Sequence, residues 1–333
     1  MDRIEILSLD IFNTHKDEMR AVERMQKYFD HGLGWHYWLD LAWVAREIKT
    51  LKPGSIVLDA GAGSGLAQFM LAELGYNVIS ADFANRSFSK KHTDRYSAVL
   101  HYLNDQSVVF DTDYARHLEK TYSLKIGKPG AKGEKKGFWA TIFGSSRNGK
   151  KEKPPMELIN ETMYRPAAPG KKPPQLLSNE VAERAGRVYV YKCDLKNMDI
   201  LPDACVDGVV SVSALEHNGH EDFKKCMKEL ERVAKPGAKF IVTVSASLEG
   251  DWFHEPSKGW CYSEGTLREF FGLSADAPSN YFDKERLFAE FYKENNELHK
   301  RLAPFYFKSG DNGMPWGKWD PKYQPVGVVK IKP

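Results

Sequence analysis

The stretch VLDAGAGSG, Val57 to Gly65, decides the reading of this chain. A short apolar strand runs into an acidic residue, Asp59, and then into glycines at alternate positions, Gly61, Gly63 and Gly65. Without a Cβ, these positions let a ligand lie against the backbone. The following LAQFMLAELG, Leu66 to Gly75, reads as a helix whose N-terminus offers unbonded N–H groups. Strand, turn and helix together make a nucleotide site. A dinucleotide site needs G-x-G-x-x-G, and counting from Gly61 the third glycine position is Leu66. A phosphate loop needs Gly-Lys-Ser/Thr, and no lysine lies between Val57 and Gly75.

What remains is D-x-G-x-G-x-G, which resembles motif I of the class I S-adenosylmethionine (SAM)-dependent methyltransferases. SAM carries no pyrophosphate to cradle. Its cationic end suits an acidic residue at the strand tip, here Asp59. The next strand, YNVISAD, ends in Asp82, 21 residues after Gly61, where a carboxylate accepts ribose hydroxyls by the logic of the NAD fold. Phe83 follows, placed to lie against the adenine face. RVYVYKCDL, Arg187 to Leu195, alternates as a strand and ends in Cys193-Asp194-Leu195. The resemblance gives Asp194 to the adenine amino group and the neighbouring N–H, at Leu195, to a ring nitrogen; an Asp capping a turn is the plainer alternative.

Around the loop the chain alternates strand and helix: strand 55–60, helix 66–74, strands 77–82, 187–192 and 206–213, helix 221–234, strand 238–245. This predicts an α/β, doubly wound, mostly parallel sheet with helices on both faces. A Lys-Pro-Gly turn precedes strand 238–245. PFYFKSG and PVGVVKIKP near the C-terminus read as an antiparallel pair completing a seven-stranded Rossmann-like methyltransferase sheet. Ahead of the sheet, Asn13 or Thr14 caps a helix running to about His31, with Met19, Val22, Met25 and Phe29 at helical spacing. A second, aromatic-rich helix follows Gly34, and one helical face cannot bury Trp35, His36, Tyr37 and Trp38 together. The expected organisation is an N-terminal helical cap over 1–54, a methyltransferase domain over 55–95 and 186–333, and an insertion over 96–185.

The chemistry is expected at the carboxyl ends of the strands. There SVSALEHNGHEDF, Ser211 to Phe223, follows the fourth strand, with Ser213 beside the cofactor. The segment lacks the Asn/Asp-Pro-Pro-Tyr/Phe of nucleobase amine methyltransferases and the Pro-Cys of pyrimidine C5 enzymes. Leu-Glu-His resembles methyltransferases of small molecules. His217 is the candidate base, because the unperturbed pKa of histidine lies near neutrality, with Glu216 to orient it or to cap the following helix. The run His217, His220, Glu221, Asp222 matches no strong metal spacing. After the fifth strand, the loop 248–262 supplies His254, Trp260 and Tyr262 as acceptor contacts, and Ser263 caps a helix.

The 333 residues are 42% hydrophobic and 28% charged, ordinary globular composition. No apolar run approaches a membrane span, and MDRIEILSLD is no secretory signal. Four cysteines without a C-x-x-C pair read as free thiols in a reducing compartment, so the cytoplasm is expected. The net charge of +3 is uneven: residues 120–174 hold 13 Lys/Arg, 4 Asp/Glu and seven of the 17 prolines. Phe138, Trp139, Ile142 and Phe143 sit among lysines there, a composition suited to a peripheral membrane contact or a polyanion. The expected function is SAM-dependent methyl transfer to a hydroxyl of a small molecule or glycan, possible lipid linkage included. An RNA methyltransferase using the insert, or a non-catalytic SAM-binding scaffold, are the alternatives.

Overall fold

The structure is a computed structural model that describes residues 1–104, 177–179, 184–302, 314 and 318–333. The basic segment 120–174, with the membrane or polyanion contact expected of it, lies outside these residues, as does the expected strand 304–310.

Five elements lead the chain: β1 (Arg3–Ile6), α1 (Ile11–Thr14), α2 (Lys16–Phe29), α3 (Tyr37–Glu47) and β2 (Ile56–Ala60). Then come α4 (Ala67–Glu73), β3 (Asn77–Asp82), α5 (Lys90–Tyr96), β4 (Leu100–Tyr102), β5 (Val188–Lys192) and β6 (Val206–Val212). The C-terminal part holds α6 (His220–Val233), β7 (Ala234–Ala246), β8 (Trp252–His254), β9 (Gly259–Tyr262), α7 (Glu264–Phe271), α8 (Lys284–Tyr292) and β10 (Gln324–Ile331). The sheet runs in the order β1-β10-β7-β6-β2-β3-β5-β4. From β7 to β4 neighbours are parallel, while β10 is antiparallel to both β7 and β1. The expected doubly wound parallel sheet is therefore present, but it has ten strands among the described residues, not seven. The additions are short: β1 and β4 lengthen the two edges, and β8 and β9 form a hairpin in place of the loop expected at 248–262. β9 pairs with β7 at Ser245 and Ala246, just past the point where β6 ends its own pairing at Thr243.

The strands β2, β3 and β5 are buried at every residue, as central parallel strands with both faces covered must be. One face carries α2, α3 and α4. The periodic Met19, Val22, Met25 and Phe29 are all buried, but the helix starts at Lys16, after a break at His15, and ends in a left-handed Asp30 (φ 52°). α3 buries Trp38 through Ala45. Its Trp43 ring lies over Gly327 of β10 so closely that a Cβ there would come within 2.5 Å of it. Trp43 Nε1 donates to Glu5 Oε2 at 3.0 Å, so the one polar atom of the ring is satisfied in a 1% exposed side chain. Truncation of Trp43 to alanine therefore removes about 3–5 kcal/mol of packing.

The expected Lys-Pro-Gly turn is absorbed into β7. Ala234 pairs with Val206 and Lys239 with Gly208, so Asp207 faces a four-residue excursion, 235–238, around Gly237 (φ 80°). The four cysteines are free and buried, and no helix among the described residues is long and apolar enough to cross a membrane.

Candidate active site

Two cavities open side by side at the carboxyl ends of β2 and β6. The first, about 290 Å³, is lined by the glycine loop 61–65, by Asp59, Val212 and Ser213, and by His31 to Gly34, Tyr37 and Leu41 from the cap helices. The loop's shape requires glycine at two places. Gly61 has φ 76° and Gly63 φ 49°, and a Cβ on Gly61 would stand 2.4 Å from the Cβ of Ala214. Gly65 has no such conformation; a Cβ there meets only the Ala62 carbonyl, at 3.3 Å.

Asp59 is 1% exposed and its Oδ2 has no hydrogen-bond partner. Burial pushes its carboxyl up to about 7, against the pull of Arg86 and with the added push of Asp82. A buried, unpartnered carboxylate on a cavity wall fits the cationic end of SAM. Asp82 closes the loop from the other side: its two oxygens accept from Gly63 N at 2.8 Å and Ala84 N at 2.7 Å. A carboxylate oxygen accepts more than one bond, so this anchoring is compatible with ribose hydroxyls. Phe83 is half-buried beside it. Asp194 accepts from Lys196 N at 2.9 Å and bridges to Asn197, the turn-capping arrangement, while Leu195 reaches to 4.0 Å of the Gly61 Cβ position.

Beneath the loop lies a network that the sequence did not reveal. Gln68 Nε2 donates to the carbonyls of Gly63 (3.3 Å) and Gly65 (3.0 Å), and Gln68 Oε1 accepts from Ser80 Oγ at 2.7 Å. Arg86, 6% exposed, donates to Ser80 Oγ, to Ser80 O and to Tyr191 O. A buried guanidinium thus holds two strands and, through Ser80 and Gln68, the loop's carbonyls. No local motif marks Arg86; only its place four residues beyond the end of a central strand makes it visible afterwards.

The second cavity, about 150 Å³, is lined by Ser213, Glu216 and His217 after β6, by Ser245 of β7, by Pro256 and Ser257 of the hairpin turn, by Tyr323 and by Gly34 to Tyr37. Gly34, Tyr37 and Ser213 line both cavities. Ser213 takes φ 47°, a conformation rare outside glycine and costing about 1 kcal/mol or more. It is held there by Thr243, whose backbone O and Oγ1 accept from Ser213 N, and its own Oγ donates to Glu216 Oε1 at 2.6 Å. Glu216 is 2% exposed and its Oε2 has no partner. Burial raises its carboxyl above the usual range, opposed by His217 and by the Ser213 hydrogen bond. His217 Nδ1 lies 3.0 Å from the Lys258 carbonyl, which can only accept, so Nδ1 carries the proton and Nε2 is the acceptor nitrogen of the neutral ring.

Of the aromatic group before and within α3, Trp35, His36 and Trp38 are buried and Tyr37 is half-buried. Trp35 and His36 precede the helix, and Phe291, Trp319 and Tyr323 cover Trp35 from the other side. That is how more than one helical face is buried. His36 Nδ1 lies 2.5 Å from Oδ2 of Asp40, one turn on and fully buried. The expected acceptor contacts fall elsewhere. Tyr262 packs in the core against Phe223 and Phe270. Trp260 stands edge-on to His220 at 4.5 Å and against Phe253. His254 is 5% exposed and bonded to Ser257 Oγ at 2.8 Å, with burial lowering its basicity. None of the three lines the second cavity. The turn of their hairpin does line it, through Pro256 and Ser257, while the register puts Trp260 and Tyr262 on one face of the hairpin and His254 on the other.

Residues 172–242 match a family model described as a methyltransferase domain. The matched segment runs from before β5 into β7 and includes Asp194, Ser213, Glu216 and His217. No curated protein matches the chain. Similar solved structures include the 1,6-didemethyltoxoflavin-N1-methyltransferase of Burkholderia thailandensis, at 14% identity over 96% of this chain and 89% of that one, TM-score 0.39. A SAM-dependent methyltransferase from Methanosarcina mazei is 14% identical over 86% of this chain and 96% of its own, TM-score 0.39. The geranyl diphosphate C-methyltransferase of Streptomyces coelicolor is 11% identical over 87% and 79%, TM-score 0.35. The mostly parallel sheet with the glycine loop at its centre is a Rossmann-like fold. Within the chain, residues 172–242 are similar to a methyltransferase domain.

Proposed function

We propose that this chain transfers the methyl group of SAM to a hydroxyl of a small molecule or glycan. The observation that carries the reading is the shared wall: Gly34, Tyr37 and Ser213 line both the glycine-loop cavity and the cavity holding Glu216, His36 and His217. A donor in the first cavity and an acceptor in the second meet at that wall, and placing two reactants at near-attack distance supplies much of a displacement's rate. SAM supplies an electrophilic methyl on a good leaving group. The chain's side of the reaction is to orient the acceptor and receive its proton.

The second cavity suits an uncharged, hydrogen-bonding acceptor. Its described lining has no lysine or arginine to pair an anion, while Glu216, Ser245, Ser257 and the tyrosines offer hydrogen bonds. Trp35, Tyr37 and Tyr323 give flat apolar walls. A hydroxyl loses its proton as it is methylated, and the cavity's histidines are bases for that step. The test is transfer from methyl-labelled SAM into the small-molecule fraction of a cell extract, with the labelled product's carbon shift read by NMR. An O-methyl signal is expected. A label found only on nitrogen or carbon, or no transfer with SAM bound, overturns the reading.

A further inference from the structure

Two histidines line the acceptor cavity, and they differ in what holds the inner nitrogen. His217 Nδ1 faces the neutral carbonyl of Lys258 at 3.0 Å. His36 Nδ1 faces a carboxylate oxygen of Asp40 at 2.5 Å, with exposures of 7% and 0% for the two side chains. Asp40 Oδ1 has no hydrogen-bond partner among the described residues. A carboxylate buried this completely in α3, with one oxygen left unbonded, is costly to keep in a protein interior. Core packing gives no reason for it. Its one partner is His36, at i and i+4 on the same helix face.

We infer that His36, held by Asp40, is the base that takes the acceptor's proton, and that Glu216 and His217 position the acceptor. This assignment rests on the hydroxyl-transfer reading above. As the acceptor oxygen bonds to the methyl carbon, the carbon–sulfur bond of SAM breaks, sulfur keeps the electron pair, and the hydroxyl proton passes to Nε2 of His36. The products are the methyl ether, S-adenosylhomocysteine and an imidazolium that faces Asp40. Asp40 contributes twice. It fixes the proton on Nδ1, which leaves Nε2 as the acceptor nitrogen. It also sets a negative charge beside the imidazolium as it forms, in a water-poor site where that charge is weakly screened. The ring is locked by stacking on Tyr37 at 4.6 Å and by the edge of Tyr323 at 5.6 Å. The titratable groups facing it are Asp40 and Tyr37 from α3, Tyr323 from the segment leading into β10, and Glu216, which feels the charge of both histidines.

The test uses the full chain with histidine labelled in both ring nitrogens, S-adenosylhomocysteine bound, and turnover from labelled SAM into the same small-molecule extract. The expected His36 is the Nδ1-protonated tautomer. His36→Gln is expected to lower turnover by about 100-fold or more at unchanged SAM affinity. Asp40→Asn is expected to lower turnover without raising the acceptor KM, and Asp40→Glu to restore part of it, a pattern that loss of packing does not give. A neutral His36 with its proton on Nε2, or His36→Gln turnover equal to wild type, overturns the assignment and leaves the hydroxyl reading standing. An absence of transfer by the wild-type chain overturns the hydroxyl reading itself.

Discussion

The donor cavity and the acceptor cavity share a wall but are built in different ways. Half of the donor side's lining is one contiguous stretch, a strand end, a glycine loop and a helix start within Asp59 to Ala67, clamped by Asp82, and the other half comes from His31 to Leu41 and from Val212 and Ser213. The acceptor side is mostly side chain, brought together from α3, the turn after β6, β7, the β8–β9 turn and the run into β10. Backbone sites tolerate no change of shape and little change of residue type. Side-chain sites are retuned one residue at a time. The contrast predicts that substitutions on the donor side act on binding, and those on the acceptor side act on turnover.

The largest effect is expected at Gly61. A valine there must hold φ near 76° and place a Cβ 2.4 Å from that of Ala214. Backbone strain and overlap together exceed about 3 kcal/mol, more than a hundredfold in affinity. Calorimetry should find no SAM binding by Gly61→Val. Gly61→Ala combined with Ala214→Gly removes the overlap and keeps the strain, so it should recover part of the affinity. Gly65→Ala, which meets only one carbonyl at 3.3 Å, should bind far better than Gly61→Val. Equal loss at Gly61 and Gly65 would break the claim that backbone shape governs this side.

Asp59→Asn comes next, and it should separate stability from binding. The folded chain holds this carboxyl at about 7 against an ordinary 3.8. A folded value raised above the unfolded one gives stability that is present below about 4 and lost as pH rises to about 7. The loss is on the order of 4 kcal/mol by pH 8. Asn carries no charge to bury, so the ligand-free variant should melt higher than wild type at pH 8 and similarly at pH 4. Its SAM affinity should fall by about 10–100-fold, the charge-assisted contact being gone. Wild-type SAM affinity should rise as pH increases through 7, where Asp59 ionises. A variant less stable than wild type at pH 8 would reverse the sign and refute the buried-charge account.

What the sequence made legible follows the same division. The glycine loop and Asp59 line one cavity and Asp82 bonds Gly63 N of that loop, and all stand in sequence order beside the strands that carry them, so their spacing makes them legible. The central strands were legible because burial on both faces leaves a continuous apolar run. The edge strands β1 and β4 were not, being three or four residues long with no turn signal of their own. On the acceptor side, Glu216 and His217 were found because they directly follow a central strand. His36 was noted only as part of an aromatic group, since its partnership with Asp40 needs a helix register that begins at Tyr37. His254, Trp260 and Tyr262 were read as contacts because a polar, aromatic loop after a strand commonly faces the substrate. The chain instead folds that loop into a hairpin, whose register turns Trp260 and Tyr262 to one face and His254 to the other and leaves the turn residues Pro256 and Ser257 at the cavity.

Glu216→Gln should give a smaller effect, and one confined to the acceptor. Burial already favours the protonated acid, and Ser213 Oγ can donate equally to an amide oxygen. Fold and SAM affinity should be unchanged. The acceptor KM should rise by about 5–10-fold, the worth of one buried hydrogen bond. A change in SAM affinity instead would mean that Glu216 belongs to the donor side of the shared wall.

The smallest effect on chemistry, and the sharpest use of the contrast, is expected at Trp260. The residue lies on the hairpin of the acceptor side, yet its ring packs on His220 and Phe253 and not on the cavity. His220 in turn bonds Asp251 at 2.9 Å, and Asp251 accepts from Ser263 N and Thr266 Oγ1 at the start of α7. Trp260→Phe keeps an edge-to-face ring and loses area and shape, a change of about 1–2 kcal/mol. It should lower the melting temperature and leave both KM values and turnover where they were. Trp260→Ala should exaggerate the first effect without creating the second, until loosening of the hairpin moves Pro256 and Ser257. A selective rise in acceptor KM for Trp260→Phe, at unchanged melting temperature, would put the ring in contact with the acceptor and redraw the boundary between support and site.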